Sequence, residues 1–492
     1  MNIIRISRNI FDSFEQLGVR YCHWKSNEHL IEGLNGDTDL DILVDPNDKL
    51  KVETIFEKWN VKKFLAVEKN RYPGIEDHIG FDCECGRLIH IHLHYKLDAG
   101  EKFLKSFEFF WAGDVLSRSV YYEDLKIKIA SPGFELFQLL LREGLKIRWR
   151  DILWALLGKK YLKADVLREL NWLKERSTSD EVKSVAEQYL GLQSGRATER
   201  ILVKSTFWNF WRLKKIAVKS LAKHRRLSTS TAFILRHVRE LNWFVGAVAK
   251  RFHQPIIPFR RVRTGEGIII AFVGVDGAGK STVLKALKKW LTWKLDVYFV
   301  YFGSGDGPSS FLRWPLLTAL RVYRYFRPKK ISKTGKPATA RRKITLARFI
   351  WAIVLGFEKK RKMKSALTAK RRGMIVLSDR YPQTWQEGFN DGPILAPLRE
   401  HKNPLIRRIA DWEYQVYKNC VQHGPDLLLK LLIPPEVALK RKGGMSIDEI
   451  KERIHVVRNI PGNPNTRIIT IDCDKPLNDV LLEIKQKIWE AI

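Results

Sequence analysis

Ile270-Ala-Phe-Val-Gly274-Val-Asp276-Gly277-Ala278-Gly279-Lys280-Ser281-Thr282 is the stretch on which the reading of this chain turns. The apolar, β-branched run 268–273 predicts a buried parallel strand. It ends in Gly274-x-x-x-x-Gly279-Lys280-Ser281, the spacing of a Walker A phosphate loop. Gly274, Gly277 and Gly279 let the backbone turn tightly and aim successive N–H groups inward. A helix opening near Ser281 points its positive end at the same spot. Lys280 is then expected at the β- and γ-phosphates, and the Ser281 hydroxyl on Mg²⁺. Val283, Leu284, Leu287 and Leu291 give that helix an apolar face.

Downstream, 297–302 reads as a second strand, followed by Gly303-Ser-Gly-Asp-Gly-Pro308, and the basic insertion 327–337 reads as a loop. A helix over about 344–369 leads to Gly373-Met-Ile-Val-Leu-Ser-Asp379-Arg380-Tyr381-Pro382. Here an apolar strand delivers Asp379 and Arg380 at its carboxyl end, where open α/β sheets bind ligands. Asp379 can hold Mg²⁺ through water or take a proton from the nucleophile. Arg380 can hold an anionic acceptor or neutralise charge during transfer.

The phosphate loop with Asp276 between its glycines, then Asp379-Arg380-Tyr381, then the strand-like 425–433 leading into 434–441, resemble thymidylate kinase over about 265–492. The resemblance implies an α/β parallel-sheet kinase fold, ATP bound from Gly274 to Thr282 (Ala278 included), and Mg²⁺. It also implies an arginine-bearing lid that brings Arg441, and with it Arg453 and Arg458, to the phosphates. The segment 302–307 does not match the family's acceptor-binding segment and 383–393 follows its nucleobase-binding segment only loosely, so a small metabolite such as a sugar or a nucleotide is expected as acceptor rather than thymidylate.

A second chemical stretch lies near the amino end: Trp24-Lys-Ser-Asn27 and Gly36-Asp-Thr-Asp39-Leu-Asp41-Ile-Leu-Val44. Alternation puts Asp39 and Asp41 on one strand face, close enough to share a divalent metal. The pair after a glycine turn resembles polymerase-β-type nucleotidyltransferases over about 10–195. That resemblance implies Mg²⁺ and a third acid on a neighbouring strand. The next strong strand carries His90, His92 and His94 instead, so Asp82 and Glu84 are expected to stand in. The three histidines fit metal ligands at alternate positions, and equally the polar face of a half-buried strand.

Between these parts, 201–264 is helical and rich in Arg, Lys and Trp. With 88 Lys+Arg against 54 Asp+Glu, a net +34 favours anionic partners. The helices 207–219 and 235–251 suit an anionic membrane surface or a nucleic-acid backbone, and equally packing between the domains with their charges solvated. The expected layout is 1–200, 201–264 and 265–492. Five scattered cysteines and a charged amino end predict a cytoplasmic protein, peripheral at most to the inner membrane face. The rival reading is a nucleic-acid-binding or defence protein with the phosphate loop as a switch; Asp379-Arg380 and the lid arginines favour the enzyme.

Overall fold

A computed structural model describes residues 3–68, 71–101, 104–122, 125–158, 161–252, 256–303, 344–387, 391–441 and 445–492. The segment 304–308 and the insertion 327–337 lie outside the described residues. The chain divides into two compact units, Met1–Phe252 and His253–Ile492.

The first unit contains β1 (Tyr21–His23), β2 (Asp39–Val44), β3 (Lys62–Ala66), β4 (Ile75–Phe81), β5 (Leu88–His94), β6 (Leu97–Ala99), β7 (Phe107–Phe109), β8 (Val120–Tyr121) and β9 (Lys128–Ile129). Its mixed sheet runs β3-β4-β5-β2-β1-β9-β8. Parallel pairing of β2 with β5 sets Asp39 opposite His90 and Asp41 opposite His92. Antiparallel β4 sets Asp77 opposite His92. Strand alternation therefore gathers acids and histidines on one face. The helix Arg5–Gln16 buries Ile6, Ile10, Phe11 and Phe14, at helical spacing, in a core with Leu40, Ile42 and Ile91.

A second core is helical, built on Pro132–Lys146 with Ser179–Leu190, Leu192–Val203 and Phe207–Ser220. The last of these is a basic helix expected on an anionic surface, yet its apolar face, Phe207, Phe210, Leu213 and Ala217, is buried here. The spacing of an apolar stripe shows that it needs cover, and neighbouring helices supply it. The helix Thr229–Phe252 differs, leaving Phe233, Ile234, Val238, Leu241, Phe244 and Val245 exposed.

The second unit contains β10 (Arg261–Arg263), β11 (Ile268–Gly274), β12 (Val297–Tyr301), β13 (Ile375–Asp379), β14 (Leu427–Leu432) and β15 (Arg467–Asp472). Five of these strands form a parallel sheet in the order β12-β13-β11-β14-β15. Central β11 is buried from Ile268 to Val273, which explains its unbroken apolar sequence. Chain direction reverses its lateral progress at β11, so the crevice opens at the carboxyl ends of β11, β13 and β14. Among the described residues no helix is long and apolar enough to cross a membrane.

Candidate functional site

The loop after β11 owes its shape to its glycines. A Cβ on Gly274 would meet the Leu431 carbonyl oxygen at 2.7 Å, so only glycine lets β11 and β14 approach there. Gly277 and Gly279 have φ of +91° and +81°, in the left-handed region. Gly279 caps the helix Lys280–Leu291, with Ser281 and Thr282 exposed on its first turn. The amino end of this helix and the turn amides form an anion cradle.

Lys280 is buried at the mouth of this cradle and donates to the carbonyls of Gly274 and Val275 at 2.7 Å each. Asp276 sits 4.0 Å from its Nζ. Asp379 ends β13 beside the loop, through the Phe272↔Asp379 register. Its Oδ1 is buried with no hydrogen-bond partner among the described residues. Burial pushes the Asp379 carboxyl above its ordinary range, while Lys280 and Arg380 pull it the other way. Arg380 adopts φ +66°, an uncommon conformation for a residue with a side chain, of the kind that concentrates at working sites. Its guanidinium reaches Asp276 at 3.5 Å and Asp391 at 3.4 Å.

Arg453, on the helix Ile447–Asn459, comes within 4.0 Å of Asp276 and binds Glu449 at 2.8 Å. The structure therefore brings Asp276, Lys280, Arg380 and Arg453 into one cluster. Arg441 lies apart from those pairs: it donates to the Cys473 carbonyl at 3.4 Å. Its helix, Pro435–Arg441, touches the loop through Ala438, whose carbonyl lies 3.1 Å from where a Gly277 Cβ would be. Arg458 contributes its backbone carbonyl to Lys430.

Two residues of this site escaped the sequence reading. Lys359 is 2% exposed, donates to the Phe302 carbonyl at 2.8 Å and lies 3.8 Å from Asp391. It belongs to Glu358-Lys-Lys-Arg-Lys-Met-Lys364, which in sequence resembles a solvated charge run. Asp391 bridges Lys359 and Arg380, and its only signal was its place in the departing segment 383–393.

In the first unit, His90 Nδ1 lies 2.7 Å from Asp39 Oδ1 and its Nε2 lies 3.0 Å from Asp77 Oδ1. His92 spans Asp41 at 3.3 Å and Asp77 at 3.1 Å, and His94 Nε2 lies 3.1 Å from Asp41. Lys25 Nζ approaches Asp41 to 2.9 Å. Despite burial, Lys25 and the two histidines hold the Asp41 carboxyl well below its ordinary range. The expected stand-ins are elsewhere. Asp82 accepts from the Ile6, Glu84 and Cys85 amides, fixing the start of the first helix and a tight turn, and Glu84 pairs with Arg5. The acid beside the histidines is Asp77. It sits in Ile75-Glu-Asp-His-Ile, where a slip of one residue would turn it to the other face, so sequence alone did not mark it.

Behind this cluster, Asn27 Nδ2 donates to Glu135, and His23 Nδ1 lies 2.6 Å from Asn27 Oδ1. Burial raises the Glu135 carboxyl to about 7.

No family model matches the chain. The uncharacterized ATP-binding protein YghS of Escherichia coli K12 is 30% identical over 229 residues, which are 46% of this chain and 93% of YghS. This chain belongs to the YghS family. The uncharacterized ATP-binding protein YghR from the same strain is 27% identical over 227 residues, 45% of this chain and 86% of YghR. The probable thymidylate kinase 2 of Saccharolobus solfataricus is 23% identical over 248 residues, 46% of this chain and 97% of that protein. The YghS-family match thus spans nearly the whole of each relative and less than half of this chain.

Proposed function

We propose that the second unit is an ATP- and Mg²⁺-dependent phosphotransferase acting on a small acceptor. The observation that carries this is the Asp379-Arg380 pair at the strand end beside the phosphate loop. One buried carboxylate oxygen there lacks a hydrogen bond among the described residues, and a left-handed arginine is held between two acids. The names of the YghS-family relatives and of the archaeal kinase support the reading.

Loop amides and Lys280 bind the phosphates, Lys280 exchanging the carbonyls of Gly274 and Val275 for phosphate oxygens. An unpaired buried carboxylate oxygen suits a cation, and Ser281 and Asp379 are the residues to hold Mg²⁺, which neutralises phosphate charge when bound. The alternative role for Asp379, where Ser281 holds Mg²⁺ without it, is to take the acceptor's proton, which a carboxyl raised by burial favours. Arg380 orients the anionic groups, and Arg453 and Arg441 add charge from the lid side. Transfer of label from γ-labelled ATP into a panel of sugars and nucleotides tests the proposal. Transfer is expected with the full chain and lost in Lys280→Ala; equal ATP consumption by both proteins, or none by either, rejects it.

The first unit is proposed as a metal-dependent nucleotidyltransferase-like partner, so that a metabolite is phosphorylated and then nucleotidylated, as in surface-polysaccharide assembly. Lys25, and half-buried Lys105 whose ammonium is lowered to about 8 first by desolvation and then by Lys25, provide an anion-binding edge near Asp41. Asp39→Asn with Asp41→Asn is expected to abolish such transfer.

Peripheral docking on an anionic inner-membrane face rests on the exposed apolar stripe of Thr229–Phe252 together with the net charge of +34. Flotation with acidic liposomes is expected, and retention of the protein at the bottom of the gradient contradicts it.

A further inference from the structure

We infer that the Asp39–His90–His92 cluster of the first unit binds a first-row transition metal ion, of which Zn²⁺ is the test case, rather than Mg²⁺. The inference concerns which ion this cluster takes, and it holds whether or not the unit transfers nucleotidyl groups.

The donor set is the first ground. One ligand atom from each of Asp39, His90 and His92 lies within 4.8 Å of the others. Two imidazoles and one carboxylate are donors that Zn²⁺, Fe²⁺ and related ions prefer, whereas Mg²⁺ takes oxygen.

The second ground is the position of His90. Its side chain is wholly buried, with a carboxylate oxygen 2.7 Å from Nδ1 and another 3.0 Å from Nε2. A neutral imidazole has one proton, so one nitrogen lone pair would face a carboxylate oxygen. A second ring proton or a metal cation shared between Nδ1 and Asp39 removes that clash, and retention of metal tells the two apart. Nε2–H then donates to Asp77, the outer carboxylate that fixes a ligating histidine's ring and tautomer. Asp77 Oδ1 also lies 3.1 Å from His92 Nε2, so one acid orients both rings.

The third ground is access. Asp39 and His92 keep 30% and 22% side-chain exposure, leaving a path by which an ion can enter. The neighbouring set Asp41–His92–His94 also falls within 4.8 Å, but the Asp41 oxygen already faces Lys25 at 2.9 Å. The ammonium serves as the cation there, which leaves the Asp39 side for the metal.

Full-length protein, purified without a histidine tag and stripped with chelator, is loaded with Zn²⁺ or Co²⁺, desalted and assayed for bound metal. Exposed Cys83 and Cys85 are replaced by serine to remove the competing thiols. One equivalent is expected, resistant to excess Mg²⁺, with Co²⁺ giving d–d absorption. His92→Ala and Asp39→Asn, both at partly exposed positions, are expected to abolish retention, so if one variant misfolds the other decides. Asp77→Asn is expected to keep the stoichiometry and weaken affinity by about 10- to 100-fold. No retained metal in the serine background, retention unaffected by His92→Ala and Asp39→Asn, or ready displacement by Mg²⁺ overturns the inference.

Discussion

Arg380 reaches across the mouth of the phosphate loop to Asp276, guanidinium to carboxylate at 3.5 Å, from a backbone held at φ +66°. A side chain kept in this uncommon conformation and tied to the loop is preorganised for an anion. Arg380→Gln is expected to lower turnover by about 10²- to 10³-fold. ATP affinity, measured by titration calorimetry, should change much less, because Lys280 and the loop amides remain.

The two lid-side arginines should differ. Arg453 already stands 4.0 Å from Asp276, whereas Arg441 is held by the Cys473 carbonyl. Steady-state kinetics should show a larger loss of kcat for Arg453→Ala than for Arg441→Ala. The reverse order would mean that Arg441 leaves Cys473 and becomes the principal lid cation.

Glu135 gives a pH signature of the first unit. Burial raises its carboxyl from 4.5 to about 7, so between those values the folded state keeps a proton that the unfolded chain has released. The stabilisation is present below the lower value and lost as pH rises through the upper one. Denaturant unfolding across this window should show wild type losing stability relative to Glu135→Gln, with no further divergence above it.

The basic helix Phe207–Ser220 is a core element as well as a charged one. Phe210 is buried among the helices of the first unit. Phe210→Ala is expected to destabilise that unit by about 3–5 kcal/mol, read as a lowered unfolding midpoint. A change within error would place the side chain outside the core.

The second unit was the more legible in sequence, and the reason is local. A phosphate loop needs glycine at fixed positions, an apolar strand before it and a helix after it, all within consecutive residues such as 268–291. Asp379 and Arg380 were legible because they end a strand. The Asp276–Arg380–Asp391–Lys359 chain was not, since its members come from separate elements, Asp276 and Arg380 lying more than a hundred residues apart, that meet only in the folded unit. In the first unit, Asp39 and Asp41 announced themselves by alternation. Asp77 did not, because its face is set by the register of β4 on β5. The helix Phe207–Ser220 was ambiguous for a related reason: an amphipathic stripe specifies an apolar partner without saying whether that partner is lipid or protein, and here its apolar residues are buried in protein.

Whether the loop 274–282 binds ATP for phosphoryl transfer is decided by calorimetric titration with Mg²⁺ and a non-hydrolysable ATP analogue. Saturable one-to-one binding to the full chain is expected, lost or weakened at least about tenfold in Lys280→Ala, for removal of a charge-assisted contact. Undetectable binding to the unaltered chain, or equal affinity in Lys280→Ala, would contradict it.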